Sequence, residues 1–257
     1  MKKNRAFSVI TGITFVILFV IAAAAVVFKL YAGNYYRADE PVIEQFRNKT
    51  ESTVHTYQEK DGMLFMPVGQ DIKAVIVFYP GGKVEYTAYS GLMYELADRG
   101  FVCVLPRMPE NLAFLRINAV DVLAEKYPMY SEIVSDLNWY IAGHSLGGVA
   151  ASTFVSGNLD RFAGLILCAS YTTTDFSDTD LRLLSIYGSE DKVLNMENYN
   201  ANKVNWPANS EEYVINGGIH SYFGDYGIQD GDGVPTLTNE QQIEEAADVI
   251  SAFCSEG

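Results

Sequence analysis

The sequence predicts a doubly wound, mostly parallel α/β sheet preceded by an N-terminal transmembrane helix, and three observations predict it. Short apolar runs bounded by turn residues alternate with stretches of helical spacing from residue 54 to residue 253, the pattern of strands joined by crossover helices. One of these runs, Ala74-Val-Ile-Val-Phe-Tyr79, is apolar at every position, as expected of a strand covered on both faces. A third, ending "WYIAGHSLGG", passes through glycine and serine directly into a helical stretch.

Residues 1–30 come first and are set apart. MKKNR is followed by an uncharged run from Ala6 to Phe28 containing FVILFVIAAAAVV. At 1.5 Å per residue this run is long enough to cross a hydrocarbon core of roughly 30 Å. A cleaved signal peptide is the competing reading, but its apolar region is normally about 7 to 15 residues and ends at a small-x-small site. Here the run is longer and Leu30-Tyr31-Ala32 is a poor cleavage site, so an uncleaved anchor is expected. Lys2, Lys3 and Arg5 precede the span, which sets the expectation of a cytoplasmic N-terminus and a globular part on the far side of a cell membrane.

Residues 31–52 read as a juxtamembrane tether, because NYYRADEPV and FRNKT show neither a sustained apolar face nor strand alternation. From residue 53 to 257 a single domain is expected. Val54 to Gln58 and Met63 to Val68 flank Lys60-Asp61-Gly62, a hairpin pattern. After the Ala74 to Tyr79 run, helical spacing from Thr87 to Arg99 stops at Gly100. Further strands are expected at Phe101 to Leu105, Trp139 to Ala142, Leu165 to Cys168, Leu183 to Tyr187 and Glu212 to Ile215. Helices are expected at Ala119 to Lys126, Val149 to Val155, Met196 to Ala201 and Glu240 to Phe253.

Charge narrows the range of partners. Past Arg37 the chain carries 13 Lys and Arg against all 32 Asp and Glu, a net charge of −19. Nucleic acid is excluded as a partner on that balance, and an anionic bilayer surface would repel the domain. The span, and not a basic patch, is then what holds it at the membrane. Cys103, Cys168 and Cys254 fit neither a disulfide framework nor a metal site; they are expected to be small buried apolar residues or, for Cys254, an exposed tail thiol. No cofactor is called for, and the sequence does not fix an oligomeric state.

The chemistry starts at Gly143-His144-Ser145-Leu146-Gly147. Between a strand and a helix, such a turn needs residues without bulk on either side, strains the serine backbone and lifts Oγ above the sheet edge. A serine hydroxyl is a weak nucleophile and needs a base held by a third group. Of three histidines, His55 lies in the hairpin and His144 adjoins the serine, where the turn should send its ring elsewhere. That leaves His220, which Gly217-Gly218 can bend back over the sheet edge. Asp191 follows a strand in the right order and is the expected acid, with Glu190 as the fallback; Asp175, Asp178 and Asp180 read as solvated loop charges. Two backbone donors are needed for an oxyanion: Leu146, after the nucleophile, and Gly82 in Pro80-Gly81-Gly82-Lys83, with Lys83 next. Asp225, Asp230 and Asp232 have oxygen chemistry that could suit calcium, but the closing glutamate of a full loop is absent, so no metal is expected and the stretch reads as a flexible loop that shapes the pocket.

Five motifs then carry a resemblance: Tyr79-Pro80-Gly81-Gly82, the stretch from Pro106 to Phe114, Gly143 to Gly148, Gly188-Ser189-Glu190-Asp191, and Gly218 to Phe223. Over about residues 53–253 the chain resembles an α/β-hydrolase of the compact, dienelactone-hydrolase-like kind, also labelled alpha/beta hydrolase fold-5. The resemblance implies that any lid would be inserted between Cys168 and Leu181, where only a dozen residues lie, so no large lid domain is expected. It also implies that Cys103 and Cys168 lie on strands that are not neighbours. Dienelactone hydrolases proper use a cysteine nucleophile; serine at 145 points to ester chemistry instead. The expected activity is that of a membrane-anchored serine hydrolase cleaving a small carboxylic ester or related acyl compound. Acyl transfer on the same triad and a non-catalytic ligand-binding module are the alternatives.

Overall fold

A computed structural model of the protein describes residues 2–126 and 136–255. It divides into two units, Met1–Tyr35 and Tyr36–Gly257. The first unit contains helix α1 (Lys2–Gly33), whose stretch Thr11–Gly33 is long and apolar enough to cross a membrane. A membrane span and a signal sequence both meet that criterion.

The second unit is built on one eight-stranded sheet in the order β1-β2-β4-β3-β5-β6-β7-β8. Strands β1 (Val54–Glu59) and β2 (Gly62–Pro67) form the expected antiparallel hairpin, with Lys60 and Asp61 as its turn. β2 is also antiparallel to β4 (Phe101–Pro106), whereas β3 (Ala74–Tyr79), β5 (Trp139–His144), β6 (Gly164–Cys168), β7 (Arg182–Gly188) and β8 (Ser210–Ile215) continue the sheet in parallel. Parallel strands deliver all their C-terminal ends to one edge. Gly82, Ser145, Asp191 and His220 each follow such an end.

The sheet has a core on each face, and the strictly apolar strands feed both. Ala74, Ile76 and Phe78 of β3 pack with Leu92, Leu96, Ile243 and Ile250 on one side. Val75, Val77 and Tyr79 pack with Val120, Leu123, Ala151 and Val155 on the other. This two-residue alternation between two buried faces explains why β3 shows no polar position. The helices supplying these residues are α3 (Ser90–Asp98), α4 (Ala119–Lys126), α5 (Leu146–Ser156) and α7 (Asn239–Ser255); α6 (Met196–Asn202) lies between β7 and β8 in the chain. The expected helix over Thr87–Arg99 begins instead as a 3-10 turn, Tyr86–Tyr89, before α3. β6 and β7 are joined by residues 169–181 without a helix.

Two expectations are corrected. Residues 40–49 of the segment read as a tether form helix α2 (Glu40–Lys49), which buries Ile43 and Phe46. Phe46 lies where a side chain on Gly91 of α3 would collide, 2.8 Å from its Cβ position, and Lys49 pairs with Glu95 at 2.8 Å. Two apolar residues three apart are too few to read as a face, and the notch at Gly91 that receives Phe46 is a tertiary feature. Burying each side chain contributes roughly 1.5–3 kcal/mol. Cys254 is likewise buried, not an exposed thiol, as are Cys103 and Cys168. The last two sit on β4 and β6, which β3 and β5 separate.

Candidate active site

β5 ends at His144 and α5 begins at Leu146, leaving Ser145 alone to turn the chain. It does so at φ 51° and ψ −122°, a conformation that costs a non-glycine residue on the order of 1–3 kcal/mol. The surroundings hold it there. Ser145 N–H donates to the Cys168 carbonyl (3.0 Å), and Ser170 Oγ donates to the Ser145 carbonyl (2.7 Å). A Cβ on Gly147 would collide with the carbonyl oxygens of Tyr79 and Pro80, and one on Gly143 would lie 2.5 Å from the Gly147 carbonyl carbon. The glycines of the pentapeptide are therefore required by contact, because helix and strand approach backbone to backbone.

The Pro80–Lys83 turn lies against this elbow. A Cβ on Gly82 would be 2.8 Å from Leu146 Cδ2. Gly81 N–H donates to Tyr89 Oη (3.0 Å) and Lys83 N–H to the Asn111 carbonyl (2.8 Å). Between them, Gly82 N–H donates to no described residue, and neither does Leu146 N–H at the start of α5. Of the two donors weighed in this turn, Lys83 is thus committed elsewhere while Gly82 faces Leu146 with its amide open.

On the other side of the elbow, the loops after β7 and β8 are laced together. Ser189 N–H donates to the Ile215 carbonyl and Glu190 N–H to the Gly218 carbonyl, both at 2.9 Å, while Gly217 N–H donates to Ser189 Oγ (2.9 Å). Gly217 has φ 78°, the left-handed conformation that suits glycine. The lacing brings Asp191 Oδ2 to 2.8 Å from His220 Nδ1, with side chains only 1% and 2% exposed. Asp191 Oδ1 accepts from Val193 and Leu194 N–H, each at 2.8 Å. The carboxylate accepts throughout, so Nδ1 carries the hydrogen and Nε2 presents a lone pair, the tautomer a general base requires. Glu190 lies beside Ser189 Oγ instead, at 3.3 Å. No hydrogen bond joins Ser145 Oγ to the His220 ring among the described residues; in unliganded sites such bonds are commonly long and tighten with substrate.

His144 packs its ring against His220 (ring centroids 4.6 Å apart), Tyr89 and Phe223. Burial, with the nearby His220 adding to it, holds its pKa well below the ordinary histidine value. His55 is exposed on β1, stacked edge-on against Tyr57.

Three further residues were not legible as parts of the site. Ser170 braces the elbow, Tyr89 holds Gly81, and Asp232 holds the loop of His220. Asp232 Oδ1 accepts from His220 N–H (3.2 Å) and Gly233 N–H (2.8 Å), and Oδ2 accepts from Ser221 N–H (2.8 Å) and Ser221 Oγ (2.5 Å). With Gln229 N–H donating to Ser221 Oγ (2.9 Å), the stretch read as a flexible loop is instead tied to itself. Asp225, also weighed for calcium, is buried and accepts from Gly91 N–H at 3.1 Å. A carboxylate's value as a backbone acceptor depends on the path of the loop around it, which no spacing along the sequence announces.

A family model described as the alpha/beta hydrolase family matches residues 75–244. The chain belongs to that family. The match runs from β3 to α7 and so takes in the elbow, both loops beyond it and the Pro80–Lys83 turn. No curated protein matches the chain. As an α/β-hydrolase the protein is a hydrolase, and its fold implies a small-molecule substrate; which bond it cleaves depends on the residues at the sheet edge.

Proposed function

We propose that this α/β-hydrolase is a membrane-anchored serine hydrolase that cleaves a carboxylic ester or related acyl compound through an acyl-Ser145 intermediate. The observation that carries the reading is the buried Asp191–His220 pair at 2.8 Å, in a chain whose elbow strains a serine at the same sheet edge. His220 Nε2 removes the Ser145 proton as Oγ attacks the acyl carbon. The negative charge that develops on the carbonyl oxygen is received by the amides of Leu146 and Gly82. Collapse of the tetrahedral species breaks the bond to the leaving group, which takes the proton from His220. Water then repeats the sequence on the acyl-serine, with His220 again as base. Asp191 holds the imidazole in orientation and stabilises its cation.

Helix α1 is the proposed anchor. The short basic leader Lys2, Lys3 and Arg5 supports a cytoplasmic N-terminus, with the hydrolase on the far side of the cell membrane. Ser145→Ala should abolish both hydrolysis of p-nitrophenyl esters and labelling by a fluorophosphonate probe. A folded Ser145→Ala protein with an unchanged rate would overturn the mechanism.

A further inference from the structure

His144 takes no part in the mechanism above, yet it is 1% exposed and both its ring nitrogens are bonded. The direction of every bond in its chain follows from chemistry. Nε2 lies 3.0 Å from the carbonyl oxygen of His220, which can only accept, so Nε2 carries the hydrogen. Burial keeps the ring neutral, and a neutral ring leaves Nδ1 as an acceptor. Tyr89 O–H, 2.8 Å away, therefore donates to Nδ1, and the Tyr89 oxygen accepts Gly81 N–H at 3.0 Å. Four groups thus form one polarised chain running from the Gly81–Gly82 turn to the backbone of His220.

We propose that His144 is a positioning residue that couples the oxyanion turn to the base, holding Gly82 N–H and the His220 imidazole in register around Ser145. The proposal rests on the reading of Ser145, His220 and Gly82 given above. One end of the chain fixes the peptide nitrogen next to Gly82. The other grips the His220 carbonyl, while Asp232 grips the His220 N–H from the opposite side. With both flanking peptide groups held, the imidazole is left to Asp191. Deleting one link leaves buried donors and acceptors unpaired and loosens two groups that must act in the same step, the Gly82 amide on the carbonyl oxygen and the His220 imidazole on the Ser145 proton. Misplacements on the order of 1 Å cost about 100-fold in rate.

The test uses the full chain in detergent micelles with p-nitrophenyl butyrate. Tyr89→Phe and His144→Phe should each lower kcat by roughly 10- to 100-fold with KM changed less than about threefold. Because the links form one chain, the double variant should be no slower than the worse single one. His144→Gln, which retains a donor for the His220 carbonyl, should recover part of the rate. The acid limb of the pH–rate profile should not move, since His144 does not titrate there. A kcat within about twofold of the parent in folded Tyr89→Phe or His144→Phe, or losses that multiply in the double variant, would overturn the proposal.

Should the variants fail to fold, nitrogen-15 imidazole spectra of the parent decide, because only three histidines contribute. His144 should be neutral with its hydrogen on Nε2 from about pH 5.5 to 8. A titrating ring, or a hydrogen on Nδ1, would break the chain as drawn. Turnover surviving in Ser145→Ala sinks the underlying mechanism; an inactive Ser145→Ala beside an unimpaired His144→Phe sinks the coupling alone.

Discussion

His220 Nδ1 lies 2.8 Å from Asp191 Oδ2, and both side chains are almost wholly shielded from water. In that setting the carboxylate can be satisfied only by donors, and among the described residues it has three: the imidazole and the amides of Val193 and Leu194. It therefore dictates which ring nitrogen bears the hydrogen.

Asp191→Asn reverses that instruction, since the amide NH2 must then face Nδ1 and the hydrogen moves to Nε2. On the proposed mechanism, kcat for p-nitrophenyl ester hydrolysis should fall on the order of 1,000- to 10,000-fold with little change in KM. Glu190→Gln, which alters the neighbouring side chain, should change kcat by less than about threefold. Steady-state kinetics on the pair of variants separates the two acids, and the opposite ranking would assign the role to Glu190.

Asp232→Asn keeps the size of the side chain but halves its capacity to accept from the amides of His220, Ser221 and Gly233. We expect a kcat loss of about 10- to 100-fold, as displacement of the proposed base His220 would give. Amide hydrogen exchange should quicken in residues 220–233. Unchanged exchange in that loop would show that the carboxylate does not hold it.

Asp225 gives a pH dependence of stability. Burial, with Asp39 adding to it, pushes its pKa up to about 7, while the bond from Gly91 N–H acts in the opposite direction. Between the unfolded carboxyl value near 4 and that value, the folded state holds a proton that the unfolded state has released. Stability contributed by this group is thus complete at low pH and is lost as pH rises towards about 7. The loss is a few kcal/mol in order of magnitude. Asp225→Asn cannot ionise, so its advantage over the parent should grow across that window and level off above it. Thermal unfolding of both proteins from about pH 4 to 8 measures the difference, and a difference that does not vary with pH would refute the account.

Gly147→Ala tests the elbow as a packing problem. The added methyl meets the carbonyl oxygens of Tyr79 and Pro80, neither of which can swing aside as a flexible side chain could. A destabilisation of at least about 1–3 kcal/mol is expected, together with slower fluorophosphonate labelling because β3 and α5 are forced apart. A melting temperature equal to the parent's would mean that the two elements are not in backbone contact.

How much of this was legible depended on whether the signal was local. The apolar run of β3 and the pentapeptide around Ser145 declare themselves because strand burial and turn sterics act over a few neighbouring residues. The helix at Glu40–Lys49 did not, since only Ile43 and Phe46 are buried and Phe46 fits a notch at Gly91. Gly82 ranked ahead of Lys83 as the donor, but Lys83 stayed an alternative until the Asn111 carbonyl took its amide. Asp232 sits in a stretch rich in glycine and aspartate where any carboxylate could be solvated, and its role appears only once the loop closes on Ser221.

By itself the sequence determined the alternating strands and helices, the apolar N-terminal stretch, the elbow at Ser145 and the chain order of serine, aspartate and histidine, because each follows from short-range sterics or from burial periodicity. Only the tertiary structure decided which acid touches His220, which amide beside the elbow remains open, and that His144 bridges two loops. Those outcomes depend on hydrogen bonds between segments up to 76 residues apart, whose geometry is set by the packing of the whole sheet and by no local preference.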